Sequence, residues 1–280
     1  MKYQLSCLKS CIGVNNVVAS RLAAAFTLLL AVMVLTACVT TQRGGFEDDA
    51  SAEEATRIRV EAAKRYLSQA EPDFEQARRH LRLALEQSPK SPDVHDALAL
   101  SFQFSDEFEL ADLHFRNAVK WGDGASRYRN NYASFLFQQE EFKKAERQLK
   151  YVAKDSLYER RESALVLLGL AQQQLIDTVA AQKSFEQALV LNPRNTIVLR
   201  ELSIMSYDAE KYSESWSYYQ RFRQATRTRS AEMLLLGVQL ANALGNNDAF
   251  VSYGLSLKNL YPDSREYQSY LKQFAPQRLN

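Results

Sequence analysis

Cysteine is nearly absent from this sequence, and the placement of its three copies limits what they can do. Cys7, Cys11 and Cys38 all fall within the first 38 of 280 residues, so no thiol remains beyond them for a disulfide framework or a paired-cysteine metal site. Glycine and proline are scarce as well, at 9 and 6 copies, too few for the many tight turns of a β-sandwich or barrel. A large charge excess is also missing. The formal net charge is +2, and residues 1–37 alone hold Lys2, Lys9 and Arg21 with no acid, leaving a neutral body of 32 basic and 33 acidic side chains. A nucleic-acid partner, which needs a basic excess, is therefore not expected.

Catalytic chemistry is equally thin. The histidines are His80, His95 and His114, and the chain contains no His-Glu-x-x-His run, Gly-rich phosphate loop or nucleophile-elbow serine. His95, Asp96 and His114 could be drawn together as a metal site, but packed or surface histidines are the expectation. The chain is read as a non-enzyme without a cofactor, metal ion or small-molecule substrate.

What is present begins with an address. Three positive residues precede the apolar run Leu22 to Leu35, followed by Thr36-Ala37-Cys38. That order is a charged region, an apolar region of signal-peptide length and a small residue at a cleavage point. Fourteen residues at a helical rise span only about 21 Å, short of the ~30 Å hydrocarbon core, which disfavours a permanent transmembrane helix. Leu35-Thr36-Ala37-Cys38 resembles the bacterial lipobox, in which the cysteine is acylated and becomes the first residue. The expectation is a lipoprotein signal peptide over 1–37 and lipidation at Cys38. Cys7 and Cys11 would then leave with the signal peptide. Position 39 is Val rather than Asp, which by resemblance to bacterial sorting rules implies the outer membrane, with the chain facing the periplasm. Together with Cys38, residues 39–54, with a glycine pair and no apolar periodicity, read as a flexible tether over 38–54.

From residue 55 the chain repeats. Small residues recur at Ala77, Ala111, Ala145, Ala181, Ser215 and Ala249, spaced 34, 34, 36, 34 and 34 apart. Four residues after each stands a larger one: Leu81, Phe115, Leu149, Phe185, Tyr219 and Tyr253. Upstream, Ala63, Ala99, Ala133, Gly169, Ser203 and Gly237 mark a first helix in each unit. A 34-residue period with small residues at fixed points is the tetratricopeptide (TPR) signature. Antiparallel helices approach closely only where side chains are small, while large ones fill the gaps between units. Pro89, Pro193 and Pro262 stand where second helices should stop. The expected fold is all-α: a right-handed TPR superhelix, an α-solenoid of six helix-turn-helix repeats over 55–262. A short C-terminal capping helix and tail over 263–280 are carried by Tyr267, Tyr270, Leu271 and Phe274. Unit one is widened by about two residues around Pro72.

In TPR folds the first helices line a concave face. Mapping that family's groove positions here puts Val60, Leu67, Leu100, Phe104 and Phe137 in the groove as an apolar seat for an amphipathic partner segment. A register shift of one residue would make the same side chains core, so both readings stand. Val166, Leu170, Ile204 and Tyr207 fall at equivalent positions of later units. The Lys and Asn pair that clamps C-terminal carboxylates in chaperone-binding TPR domains is absent. Arg221, Arg223, Arg227 and Arg229 crowd the junction of units five and six. They read as a solvated face or, more sharply, as a dock for an acidic segment.

The lipobox, tether, six units and short tail together resemble the PilF/PilW family of type IV pilus biogenesis lipoproteins. The likeness is carried by Ala62-Ala63-Lys64-Arg65-Tyr66-Leu67, Phe74-Glu75-Gln76-Ala77 and the run Tyr128 to Phe142 (YRNNYASFLFQQEEF), where Asn130-Asn131-Tyr132-Ala133 parallels that family's N-N-Y-A. The resemblance implies a pilotin: an outer-membrane lipoprotein that binds the secretin subunit of the pilus machinery and promotes its localisation and multimerisation. Two other readings of the architecture are a TPR lipoprotein of β-barrel assembly and a scaffold regulating cell-wall enzymes.

Overall fold

The computed structural model describes residues 49–227 and 229–274; the signal peptide, Cys38 and the tail after Phe274 lie outside them. Among the described residues there are thirteen helices and no strand. They pair in chain order: α1 (Asp49–Leu67) with α2 (Phe74–Gln87), α3 (Pro92–Phe104) with α4 (Phe108–Trp121), and α5 (Ser126–Gln138) with α6 (Phe142–Val152). Then come α7 (Arg161–Gln174) with α8 (Thr178–Leu191), α9 (Thr196–Asp208) with α10 (Tyr212–Ala225), and α11 (Ala231–Ala243) with α12 (Asn247–Leu260). α13 (Arg265–Phe274) closes the series. This is the six-repeat α-solenoid with one extra helix. α1 starts earlier than the sequence suggested, because Asp49–Glu54, assigned to the tether, are already helical. Alanine and glutamate favour helix, and acids in a first turn complement the positive end of the macrodipole.

The repeat residues are the core. Ala77, Ala111, Ala145, Ala181 and Ser215 are fully buried, and so are Leu81, Phe115, Leu149 and Phe185, with Tyr219 and Tyr253 nearly so. Ala63, Ala99, Ala133 and Ser203 are at 0% exposure on the facing first helices. The logic is clearest where the small residue is glycine. A Cβ on Gly169 would stand 2.5 Å from the Phe185 ring, and one on Gly237 would run into the Tyr219 hydroxyl. The large residue of each second helix occupies the space that the first helix leaves open. These contacts join three core clusters, the first from Val60 to Leu98, the second from Ala99 to Leu168 and the third from Leu165 to Leu257. All three lie within the compact unit Ala52–Asn280, so the solenoid supplies its own core.

Turn chemistry sets the helix ends. Asp73, Asp177, Asn195, Ser230 and Asn246 each accept a hydrogen bond from a first-turn amide of the helix that follows, a contribution of about 1 kcal/mol per cap. The connections within repeats two to six are three residues long, whereas α1 and α2 are joined by six, which is the widening around Pro72. In those short turns Asp106, Glu140, Ile176, Glu210 and Gly245 take positive φ. Ile176 is the costly member, since a β-branched side chain fits poorly at φ 60°. The solenoid ends where α13 lays Tyr270 and Phe274 against Phe250, with ring centroids 6.1 and 5.3 Å apart, and Tyr270 packs over Gly254.

If helix approach depends on the small-to-large contact, Gly169→Ala will lower stability by about 1–3 kcal/mol in urea unfolding. It will do so even though alanine is the better helix former by about 1 kcal/mol. Phe185→Leu in the same chain should restore part of the loss. An unchanged or raised midpoint for Gly169→Ala would show that the helices do not rest on this contact.

Candidate binding groove

Polar side chains link successive first helices at a nearly constant offset. Asn131 of α5 donates to both carboxylate oxygens of Asp96 on α3, at 3.1 and 2.9 Å, and Gln103 of α3 donates to Gln138 of α5 at 2.6 Å. Arg127 pairs with Asp93 at 2.7 Å, and the Tyr128 hydroxyl donates to the same carboxylate at 3.2 Å. The pairs lie 34 or 35 residues apart, which requires α3 and α5 to run parallel and in step. Further along, Gln173 of α7 donates to Glu201 of α9, and Arg200 of α9 bonds Glu201 and reaches Glu232 of α11. At the end, Gln239 of α11 donates to Gln273 of α13.

The face formed by the first helices of units two and three is thus largely polar, and the structure sorts the five mapped apolar residues. Val60 is 2% exposed and Leu67 9%, both inside the first core cluster, so they are packing residues and offer no contact surface. The reason is helix phase: α1 turns these positions toward α2, as the shifted register allowed. Leu100 and Phe137 are half-buried against the second cluster, and Phe137 meets Phe142 edge-on at 5.3 Å. Only Phe104, at 55% exposure, stands free at the end of α3. Asn130 is buried, and its neighbour Asn131 makes the contact to Asp96. The sequence signal for this is faint: Asp96/Asn131 and Gln103/Gln138 are polar pairs 35 residues apart, one more than the 34-residue repeat.

Asp96 is the group whose chemistry the site perturbs most. It is 9% exposed, and burial pushes its carboxyl up to about 6, with the Asn131 hydrogen bonds opposing and nearby Asp93 reinforcing the shift. A carboxylate kept ionised at neutral pH in such a place is a strong acceptor for any donor brought to it. The donors that could instead grip an incoming carboxylate are already engaged, Arg127 by Asp93 and Asn131 by Asp96. The face therefore suits a segment offering amide or cationic donors. A cleft of about 500 Å³ opens between the start of α5 and the α6–α7 connection, lined by Arg127, Asn131, Asp155 and Tyr158 among others.

The histidines form a separate arrangement. His95 Nε2 lies 3.0 Å from the Pro89 carbonyl, and His95 Nδ1 lies 2.8 Å from His114 Nδ1. The carbonyl requires the proton on His95 Nε2, so His95 Nδ1 must accept and His114 Nδ1 must donate. Burial, with His95 nearby, holds the His114 imidazole down at about 4, and burial lowers His95 as well. His80 stacks on Tyr66 at 5.7 Å. Among the described residues no group of three or more candidate ligands comes together that could hold a metal ion.

Comparison with known proteins gives a consistent result. The chain is 37% identical over 248 residues to the type IV pilus assembly protein PilF of Pseudomonas aeruginosa, covering 88% of this chain and 97% of that protein. A solved structure of Pseudomonas aeruginosa PilF superposes with a TM-score of 0.69 at 36% identity, covering 79% of this chain and 99% of the other. PilW, a type IV pilus biogenesis factor, superposes at TM-score 0.62 and 22% identity over 78% of this chain and 99% of that one. YrrB, a TPR protein with an unusual peptide-binding site, superposes at 0.59 and 14% identity over 69% of this chain and 97% of that one. These last two show the fold alone. No family model matches the chain.

Asp96 makes a testable contribution to stability. Its folded carboxyl sits above the reference 3.8, so the folded state binds the proton more tightly, and this group disfavours folding as pH rises toward and through 6. Asp96→Asn removes that cost. The melting temperature of the variant relative to wild type should therefore be lowest near pH 4 and rise through pH 6 to a plateau by about pH 7. His114 titrates with the opposite sign but is common to both proteins and cancels in the difference. A difference that is flat, or that falls with pH, contradicts the assignment.

Proposed function

The chain belongs to the type IV pilus assembly PilF family, and from that premise we propose that it is a pilotin. In this reading it is an outer-membrane lipoprotein that binds the secretin subunit of the pilus machinery and promotes its multimerisation. The observation that carries the reading is the 37% identity to PilF, which extends over 88% of this chain rather than over a few repeats. Single TPR motifs are shared by proteins of many functions; likeness across nearly the whole chain is far more restrictive.

The role requires no chemistry from the protein. Acylation at Cys38 would hold the solenoid at the periplasmic face of the outer membrane, and anchoring by several acyl chains is effectively permanent. The inner face of α3 and α5 would take a secretin segment, with Asp96 and Asp93 accepting its donors and Phe104 receiving an apolar side chain. Confinement at the membrane raises the local concentration of bound subunits, which favours their assembly without a further energy source.

The test is a strain lacking this gene, fractionated and assayed for heat-resistant secretin multimers in the outer membrane. The expected result is loss of multimers with monomer accumulating elsewhere, restored by the wild-type gene and not by a Cys38→Ala form at equal abundance. Normal multimers in the outer membrane of the deletion strain would overturn the pilotin reading and direct attention to β-barrel assembly or cell-wall scaffolding.

A further inference from the structure

Because the first helices run parallel and in step, every turn within a repeat falls along one edge of the solenoid and every connection between repeats falls along the other. The two edges differ in charge. The turns within repeats one to five carry Glu71, Asp73, Asp106, Glu107, Glu140, Glu141, Asp177 and Glu210 against a single base, Lys211. The connections between repeats hold Lys90, Lys154, Arg160, Arg194, Arg227 and Arg229 against Asp123, Asp155, Glu159 and Asp263. Helix dipoles do not produce this sorting, since each edge collects both N- and C-termini.

The basic character peaks around units four to six. Among the described residues, no ion pair joins Arg194, Arg221, Arg223, Arg227 or Arg229 to a carboxylate. Two of them are held in place by groups that leave the charge intact. Arg221 donates to the Pro193 carbonyl at 3.1 Å, and Arg223 lies over the Tyr253 ring at 4.9 Å and bonds its hydroxyl. Apolar side chains stand out along the same edge. Val190 is 80% exposed beside Arg194 in sequence, Leu191 and Ile197 are about half exposed, and Leu157 is 90% exposed on the α6–α7 connection. Trp121 lies beneath Lys90 and Lys120 at 5.1 and 4.4 Å, and Tyr151 lies beneath Arg129 at 4.3 Å. The opposite edge also exposes Phe104, Ile176 and Val179, but among acids.

We propose that the edge formed by the connections between repeats is a membrane-contact surface that lies along an anionic phospholipid layer. Guanidiniums kept free of carboxylate partners suit headgroup phosphates, and protruding leucine and valine, with a tryptophan under two lysines, suit the boundary between headgroups and acyl chains. The features are spread over repeats two to six rather than gathered in a slot, which fits an extended surface better than a single acidic peptide. The acidic edge would face away from the lipid, leaving the inner face of the first helices open to the side. This goes beyond the secretin reading and does not depend on acylation.

The experiment uses the purified solenoid, residues 49–280, which carries its own core and lacks the acylated cysteine. It is sedimented with vesicles of phosphatidylcholine alone and with vesicles containing about one part in three phosphatidylglycerol. The expected result is binding to the anionic vesicles only, released by salt, with a blue shift of tryptophan emission. Arg194→Gln, Arg227→Gln and Arg229→Gln together should lower the partition by roughly tenfold or more. Leu157→Ser with Val190→Ser should weaken it too. All five positions are exposed, so an unchanged helical spectrum is expected of each variant. Equal binding to neutral vesicles, no binding at all, or undiminished binding by the triple variant overturns the proposal. Binding to polyglutamate without binding to vesicles also overturns it, in favour of an acidic polypeptide partner. No secretin is present, so failure here leaves the pilotin reading untouched.

Discussion

The structure depends on one kind of contact, a large side chain of a second helix seated over a small residue of the first. Phe185 over Gly169 is its clearest instance, and Gly237 meets both Tyr253 of its own pair and Tyr219 of the pair before. The contact sets the distance between paired helices, and repeating it every 34 to 36 residues stacks the pairs with their first helices parallel. Without that parallel stacking, Asp96 would not meet Asn131 and Gln103 would not meet Gln138. The edges would not separate into an acidic and a basic rim either. Both the inner face and the two rims of this chain are therefore downstream of packing.

On the proposed reading, the inner face would carry a binding site at the expense of the scaffold's own stability. Asp96 is buried enough to raise its carboxyl toward neutrality, yet it is paired with an amide rather than a cation. A structural carboxylate would more economically be exposed or matched with a nearby base, as Asp93 is with Arg127. An ionised group held at a cost is one that an incoming donor would relieve, so on the proposed reading ligand binding and local stabilisation would be coupled at this position.

Much of the fold was legible because its signal is repetition. The small and large positions found by spacing are the buried ones, and Pro89, Pro193 and Pro262 fall just beyond helix ends. Ala249 is the exception: in the last repeat Phe250 is buried instead, one residue on, against α13. The groove was less legible. Val60 and Leu67 were assigned by a generic register, but α1 is joined to α2 by six residues rather than three, and its phase follows its own core. Asn130 and Asn131 are adjacent, yet the first is buried and the second bonds Asp96 across the face. The 34-residue period points from Asp96 to Asn130, yet Asn131, 35 residues on, makes the contact, so spacing alone does not separate the two. The arginines of units five and six were visible as a cluster, but their lack of carboxylate partners emerged only from the geometry.

The measurement that tests the account most directly is amide hydrogen exchange on the solenoid with and without the purified secretin subunit. Added protection concentrated in α3 and α5, around Asp96, Asn131 and Phe104, is the predicted result. Protection confined to the second helices, or no change at saturating subunit, would contradict the claim that the first-helix face of units two and three is where this protein works.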